Sequence, residues 1–565
     1  MSQTRFYCLP TVFSLSDHGC NVSLDSKENT MSQNSKSRKP RSRRSMLSGA
    51  SYVLLPCLLL AAGASSAHAA DWYVNRSGSD ANAGASLLQP FATMQKGINS
   101  ASDGDNVFVA ADTYSGTGNV NLNFNGKHIT LEALPLFRSP RNVTIDCKGT
   151  ARGFSFTNGE NASSVVDAFS VVNGKTADFG GAVYINASSP VFIDCSFSKN
   201  TALYGGAVYT YSSAPIFNNC SFTNNTATEG GAVYSDDSSA GIYSYNRFSY
   251  NHSADNGGAV YAYNGTDTFS NGTFYKNVGD NEGGAVFFDA NSRTLLVNSS
   301  FTSNKGSYGG AFFAYTNASP AFYNAVIANN SAVNDGGAYV AYNYANVSLY
   351  SSTIANNTSA DIGGAIYDGL YATSTLTYCI VWNDTAVIAG TNEIYNEDTS
   401  SANVTYSDVS GGYAGTGNTA VDPLFKSATD FHLQPASPVI DYVAATGSTP
   451  YDKDHFPRVS NLLLDLGAYE RHLPTAVADA YSTTQNITLK VSAAKGVLAN
   501  DLANRGYGLK AVLNTTTAFG TLTLKSDGAF TYVPTGVGSY TDTFTYHATN
   551  SYGSSSPVTV TITVN

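Results

Sequence analysis

The chain has 565 residues, of which only 13% are charged, and its formal net charge is -11. Lysine and arginine are too sparse for the basic surface that nucleic-acid binding requires, so nucleic acid is excluded as an expected partner. Glycine and tyrosine are abundant, with 51 and 37 residues, and such a composition favours strands and turns over helices.

The N-terminal region has the order of an export signal. A basic segment precedes an apolar run and then the small-residue sequence Ala67-His68-Ala69. This order predicts a signal peptide over residues 1–69, with Met31 as an alternative start, and no transmembrane segment after cleavage. We therefore expect a secreted or cell-surface protein, with association to an outer membrane as an option.

Residues 70–179 predict a cap and irregular strands. Phe91, Met94 and Ile98 follow a helical spacing, so a helix over residues 91–101 is expected to cover the open end of the strand array that follows. Short apolar segments then predict strands at residues 107–110, 128–131, 143–145, 154–156 and 165–172.

A Gly-Gly word recurs through residues 180–383 at steps of 25 to 27 residues. Its first glycines are Gly180, Gly205, Gly230, Gly257, Gly283, Gly309, Gly336 and Gly363. Each pair predicts a corner with positive φ or close backbone approach. Three residues later stand the apolar side chains expected in the core, namely Val183, Val208, Val233, Val260, Val286, Phe312, Tyr339 and Ile366.

A second word, Phe or Ile followed three residues later by Asn, keeps the same period. Its asparagines are Asn200, Asn225, Asn251, Asn277, Asn304, Asn330, Asn357 and Asn383, the last one following Ile380. Stacked carboxamides can hydrogen-bond to each other along the array, so a structural asparagine ladder is predicted.

Two words per period indicate that each repeat is one turn of a solenoid. Because the repeats are poor in helix formers, we predict an all-β protein, a right-handed parallel β-helix with regular repeats over residues 180–383 and a closing segment over 384–470. Residues 474–565 lack the Gly-Gly word, and alternating strands at 521–525, 529–533, 541–547 and 558–564 predict a small antiparallel β-sandwich.

These sequence motifs resemble motifs of known bacterial protein families. The repeats are similar to those of chlamydial polymorphic outer-membrane proteins, and the segment opening at Trp72-Tyr73-Val74 resembles pectate-lyase-like (pectin lyase fold) domains. Asp465-Leu466-Gly467-Ala468-Tyr469-Glu470 resembles a choice-of-anchor Q segment. Asp542-Thr543-Phe544-Thr545-Tyr546 is similar to cadherin-like or immunoglobulin-like surface domains. The resemblance implies a surface role and leaves the ligand open.

Four cysteines remain after the predicted cleavage: Cys147, Cys195, Cys220 and Cys379. Cys195 and Cys220 occupy equivalent positions in consecutive turns and should stack. They are either two buried small side chains or, as the alternative, a disulfide.

An exposed aromatic lane is the candidate binding surface. It comprises Tyr184, Tyr209, Tyr234, Tyr261, Phe287, Phe313 and Tyr367, joined two positions later by Tyr211, Tyr263, Tyr315 and Tyr342. Such a lane suits adhesion to a polysaccharide or to a protein of a host or neighbouring cell. The alternatives are that the tyrosines only stabilise the strand face or that they form the core.

Acidic residues stand before several Gly-Gly corners: Asp178, Glu229, Asp255, Glu282, Asp335 and Asp361. Calcium bound between turns is one hypothesis, and solvated acidic turns are the other. Tyr204 and Tyr308 interrupt the line.

Catalysis is the competing hypothesis, although no catalytic residue is assigned. A polysaccharide lyase or glycoside hydrolase would need charged groups converging on one groove. The irregular turns supply the candidates Arg138, Arg141, Asp146, Lys148, Arg152, Asp167, Lys175 and Asp178. A third hypothesis is a structural surface spacer.

Overall fold

The computed structural model describes residues 69–134, 142–388, 390–444, 449–458, 463–503, 508–550 and 553–565. Most of the predicted signal peptide, together with Arg138 and Arg141, lies outside these residues. Within them, no helix is long and apolar enough to cross a membrane.

The predicted N-terminal helix is confirmed, with shorter bounds, as Met94–Ser100. Thr93 caps it, because its hydroxyl accepts a hydrogen bond from the backbone N–H of Lys96 at 3.3 Å. The helix packs closely on the first strands: a Cβ on Gly97 would lie 2.7 Å from the Val107 side chain.

The body of the protein is the predicted solenoid of parallel strands, whose successive turns build four sheets. Sheet 1 comprises Asp71–Val74, Asn106–Val109, Thr130–Ala133, Val165–Asp167, Val191–Ile193, Ile216–Asn218, Ile242–Ser244, Thr268–Ser270, Leu295–Val297, Ala321–Tyr323, Asn346–Tyr350, Thr373–Thr377 and Ser401–Thr405. Sheet 2 comprises Asp112–Tyr114, Val143–Asp146, Ser170–Val172, Ser196–Ser198, Ser221–Thr223, Arg247–Ser249, Thr273–Tyr275, Ser300–Thr302, Val326–Ala328, Thr353–Ala355, Ile380–Trp382 and Asp408–Val409.

Sheet 3 comprises Phe154–Phe156, Val183–Asn186, Val208–Tyr211, Val233–Asp236, Val260–Tyr263, Val286–Asp289, Phe312–Ala314, Tyr339–Tyr342, Ile366–Gly369 and Ile394–Asn396. The short sheet 4 comprises Thr226–Ala227, His252–Ser253, Val278–Gly279, Lys305–Gly306, Ser331–Ala332, Thr358–Ser359 and Thr385–Ala386. In the regular turns the Gly-Gly corner leads from sheet 4 into sheet 3.

The Gly-Gly corners require glycine at both positions. Gly283 has φ 69°, and a Cβ there would lie 2.2 Å from the carbonyl oxygen of Val286. A Cβ on Gly284 would lie 2.1 Å from the carbonyl oxygen of Gly310 in the next turn. The first glycine of all eight corners has positive φ, as predicted.

The apolar residues three positions after the corner are buried in one continuous core, as predicted. Stacked phenylalanines fill the opposite side of that core, and the Phe274 and Phe301 ring centroids are 4.4 Å apart. The four described cysteines are free and buried, so the disulfide alternative for Cys195 and Cys220 is wrong.

The asparagine ladder forms as predicted at seven of its eight positions. Each side-chain amide donates to the Oδ1 of the next asparagine, as from Asn251 to Asn277 at 2.9 Å, and the backbone N–H of the same residue donates to that oxygen too. The last rung is Asp384, which accepts from Asn357 at 2.7 Å. The prediction of Asn383 is wrong, because Ile354 pairs with Val381 rather than with Ile380 and the register moves by one residue.

The closing segment packs against turns between sheets 1 and 2. Arg458 is completely buried and donates to the side chain of Asn324 at 2.7 Å and to the carbonyl of Ser351 at 3.2 Å. Lys453 donates to the carbonyl of Asn298 at 2.7 Å. The short strands Val443–Ala444 and Leu463–Leu464 pair antiparallel in this segment.

The C-terminal strands form two sheets, as expected for a sandwich. One sheet contains Asp479–Thr483, Lys510–Thr515, Tyr540–Asn550, Gly553–Ser554 and Val558–Val564, and the other contains Leu489–Val491, Gly520–Leu524 and Phe530–Pro534. A 3-10 helix lies at Ala493–Lys495. Most pairs are antiparallel, and Phe530, Tyr532, Phe544 and Ile562 are buried in a common core.

Candidate binding groove

The outer face of sheet 3 carries the predicted aromatic lane, and its main row is covered rather than exposed. Tyr209, Tyr261 and Phe313 are 5%, 6% and 3% exposed. They belong to a second hydrophobic cluster, separate from the solenoid core, together with Tyr234, Phe287, Val340 and Tyr367. The side chains therefore point away from the core, as predicted, but the expectation of an exposed row is wrong.

Ring stacking explains this burial. The Tyr234 and Tyr261 centroids are 4.6 Å apart at an interplanar angle of 13°, and Tyr209 stacks on Tyr234 at 5.6 Å and 21°. Parallel strands are spaced about 4.8 Å apart, close to the separation that offset-stacked rings prefer. The rings cover each other's faces, so mainly their edges remain for a ligand.

Two further rows flank the stacked rings and leave a groove between them. The corner row comprises the residues before each Gly-Gly pair, namely Phe179, Tyr204, Glu229, Asn256, Glu282, Tyr308, Asp335 and Ile362. The strand-end row comprises Asn186, Tyr211, Asp236, Tyr263, Asp289, Tyr315, Tyr342, Gly369 and Glu397. Tyr211 is 40% exposed, and Tyr184, Tyr263, Tyr315 and Tyr342 are half-buried.

Tyrosine hydroxyls of the stacked row tie it to the strand-end row. Tyr261 donates to the carboxylate of Asp289 in the next turn at 2.9 Å. Tyr209 donates to Asp236, and Tyr367 to Glu397, in the same way. These bonds fix the stacked rings and hold carboxylates at the rim of the groove.

A cavity of about 530 Å³ lies in the groove between Asn256 and Tyr367. Phe287, Phe313 and Val340 are among the residues that line it, and Glu282 and Asp335 lie on the corner side. Tyr315, Tyr342 and Asp289 line the other side. Among the described residues that line this space there is no lysine or arginine.

The surroundings of the corner-row carboxyl groups raise their pKa values. Burial, followed by the charges of Asp255 and Asp289, raises the pKa of Glu282 to about 7. Burial and the same two charges raise the pKa of Glu229. Burial raises the pKa of Asp335, where Asp361 and Glu397 add to the effect. The groove therefore combines aromatic edges with desolvated acids.

The acidic line predicted before the corners divides into two sets. Glu229, Glu282 and Asp335 belong to the corner row, whereas Asp178, Asp255 and Asp361 stand one residue earlier. In the part of the chain that the structure describes, no three His, Cys, Asp or Glu side chains are placed to hold a metal ion. Calcium between turns remains a hypothesis without geometric support.

The structure gives contacts for several of the charged residues proposed for catalysis. Lys148 pairs with Asp146 at 2.6 Å. Arg152 donates to the carbonyl of Phe179 at 2.9 Å and lies over the Tyr184 ring. Asp167 is buried in sheet 1.

Four residues of the groove lie outside the predicted aromatic lane. Asp236, Asp289 and Glu397 occupy the strand-end position that tyrosines fill in other turns, and Val340 occupies a stacked position. They could be identified from their sequence distance to the Gly-Gly word, because residues at the same distance from it lie in the same row.

Comparisons with known proteins agree with the resemblances seen in the sequence. Residues 194–211, 219–236, 247–263 and 351–368 match the Chlamydia polymorphic membrane protein repeat. Residues 471–565 match the bacterial cadherin-like domain. No curated protein sequence matches the chain.

Three solved structures are similar in fold at low identity. A pectate lyase, Pel9A, shares 15% identity over 71% of this chain and 96% of its own, with a TM-score of 0.41. A rhamnogalacturonan lyase shares 14% identity over 63% and 91%, with a TM-score of 0.34. A complex of XylC with xylose shares 9% identity over 62% and 86%, with a TM-score of 0.39.

Proposed function

We propose that the protein is an exported, cell-surface binding protein, an adhesin, whose solenoid holds an extended ligand in the groove along sheet 3. The observation that carries the proposal is the groove itself, an aromatic and acidic channel that crosses successive turns. The ligand is part of a polysaccharide or of a protein on a host or neighbouring cell. The C-terminal sandwich serves as a stalk or attachment module.

Two features support a surface role. The repeats match those of polymorphic membrane proteins, and the C-terminal region matches a cadherin-like domain. The stacked rings and their hydroxyl bonds give the groove a rigid base, which reduces the entropy lost when a ligand binds.

Retention assays on a panel of polysaccharides and surface proteins test the binding role, with product formation measured in the same samples. We expect retention without products, and we expect Tyr315→Ala to weaken it. The matched control is Tyr323→Ala, which removes a half-buried tyrosine stacked on Tyr350 in sheet 1 at 4.9 Å. Cleaved products would favour the lyase or hydrolase hypothesis, and equal retention by both variants would place binding elsewhere.

Surface labelling of producing cells, followed by fractionation, tests the location. We expect the chain to be labelled on intact cells. Recovery only from the cell interior would contradict the proposal.

A further inference from the structure

The carboxylates of the corner row follow a two-turn repeat. Glu229, Glu282 and Asp335 alternate with Asn256 and Tyr308, so consecutive acids of the row are separated by one turn whose corner-row residue is uncharged. Asp236 and Asp289 stand in the same turns as Glu229 and Glu282, on the opposite side of the groove. Since neighbouring parallel strands lie about 4.8 Å apart, the acids recur at about 9.6 Å along the groove.

This repeat discriminates between backbone conformations of a bound chain. An extended β-strand brings a side chain back to the same face after two residues, at about 6.8 Å, which does not match the acids. A polyproline II helix has three residues per turn and a rise of about 3.1 Å, so every third residue recurs at about 9.3 Å. The mismatch over one two-turn step is only about 0.3 Å.

The groove is long enough for a short extended segment. Its lining extends from Asn256 to Tyr367, which is four turn spacings or about 19 Å. A polyproline II helix of that length has about six residues, or two of its three-residue turns.

Charge determines which side chains the bound segment presents. The groove supplies Glu282, Asp289 and Asp335 and no lining lysine or arginine among its described residues. A cationic side chain in the groove would offset the charge and the desolvation of these acids.

We propose that the groove binds a polyproline II segment that carries a lysine or arginine at every third residue. The basic side chains reach the corner-row acids, and the pyrrolidine rings pack on the half-buried Tyr263, Tyr315 and Tyr342. Aromatic-lined grooves recognise this conformation because it is already ordered before binding. The inference rests on the proposed function, since it names the ligand class of the same groove.

Peptides that differ only in spacing or charge test the proposal on the purified full chain. The probes are (Pro-Pro-Lys) repeats, (Pro-Pro-Pro-Lys) repeats with the same number of lysines, and (Pro-Pro-Glu) repeats, compared by calorimetry or fluorescence anisotropy. We expect the three-residue repeat to bind about tenfold or more tightly than the four-residue repeat, and the acidic repeat not to bind. Equal affinity for both lysine spacings would overturn the proposal.

Variants that neutralise the corner-row acids test whether the probe binds in the groove. The triple variant Glu229→Gln, Glu282→Gln, Asp335→Asn should bind the (Pro-Pro-Lys) probe at least about tenfold more weakly. The matched control neutralises the exposed Asp71, Asp112 and Asp527 and should bind as the unmodified chain does. Equal losses in both triple variants would overturn the proposal.

A parallel glycan assay separates this inference from the proposed function. Retention of an uncharged polysaccharide that Tyr315→Ala abolishes, without binding of the (Pro-Pro-Lys) probe, would overturn the inference and keep the groove as a binding site. If no probe responds to any groove variant, both the inference and the proposed function fail.

Discussion

The asparagine ladder and the groove of sheet 3 arise from the same repeat, yet they treat polar groups in opposite ways. In the ladder, each amide of Asn277 donates to a neighbouring rung or to the carbonyl of Phe248, so every donor is matched inside the solenoid. In the groove, the charges that act on Glu229 and Glu282 are those of Asp255 and Asp289, which are also acidic. Repetition gives stability where identical groups can satisfy one another and leaves an interaction surface where they repel.

Breaking the ladder should have the largest effect. Asn277→Ala removes the acceptor of both the backbone and side-chain amides of Asn251, and it removes one donor to the Phe248 carbonyl. We expect the free energy of unfolding in urea to fall by roughly 3–5 kcal/mol. Asn346→Ala, at an exposed strand position, is the control and should change it by less than about 1 kcal/mol. A similar value for both variants would show that the ladder contributes little.

The end of the ladder should respond to pH. Burial and the neighbouring Glu393 raise the pKa of Asp384 well above its usual value, and burial raises the pKa of Glu393 to about 7. A raised carboxyl pKa gives stability at low pH that is lost as the pH rises from about 4 through 7. Asp384→Asn keeps an acceptor for Asn357 and removes one charge, so it should be more stable than the unmodified chain at pH 8 by roughly 1–3 kcal/mol.

Urea unfolding of the unmodified protein and of Asp384→Asn at pH 5 and pH 8 checks this expectation. The difference in favour of Asp384→Asn should grow between the two pH values. A variant that is less stable at pH 8 would mean that the carboxylate is favourably paired there.

Neutralising one acid of the groove should also stabilise the protein at pH 8, by a smaller amount than Asp384→Asn. The pKa of Glu282 is about 7, and Asp255 and Asp289 are the charges that face it. Stability is therefore lost as the pH rises from about 4.5 to 7, and Glu282→Gln should gain roughly 1 kcal/mol at pH 8 once solvent screening is allowed for. Thermal unfolding at pH 5 and pH 8 measures it, with Asp71→Asn as the exposed control. A stability loss at pH 8 would indicate a stabilising partner for Glu282.

The rim tyrosines should matter least for folding. Tyr315 stacks on Tyr342 at 6.3 Å and is half-buried, so Tyr315→Ala should lower the free energy of unfolding by about 0.5–1 kcal/mol. Urea unfolding measures the loss, and Tyr323→Ala should behave alike. A loss as large as that expected for Asn277→Ala would make the rim part of the fold rather than of the binding surface.

The sequence predicted the turns well because each corner requires particular residues at fixed positions. Gly283 and Gly284 are needed for positive φ and close backbone approach, and no other residue satisfies both without strain. The Asn383 prediction failed because the Ile-x-x-Asn spacing was present at residues 380–383 although the strand pairing selects Val381 and Asp384. Register depends on contacts between turns, which the spacing of one word does not show.

The groove was harder to predict for a different reason. The period indicates that Tyr209 and Tyr261 point away from the core, and they do. Whether a side chain is then exposed depends on what the neighbouring turns place beside it, here other rings and the corner row. The predicted line of acids likewise mixed two positions, because Glu229 stands directly before its Gly-Gly pair and belongs to the corner row, whereas Asp255 stands one residue earlier.

The direction of the asparagine ladder has a consequence for how this array could change during evolution. Every rung donates toward the next turn, and the array ends in Asp384, whose Oδ1 accepts from Asn357. A whole repeat can therefore be duplicated or deleted between two asparagines without leaving an unmatched donor, because the new rung finds the same neighbours. Each duplication would lengthen the groove by about 4.8 Å. The length of the groove can therefore change with the number of repeats, independently of how the array is terminated.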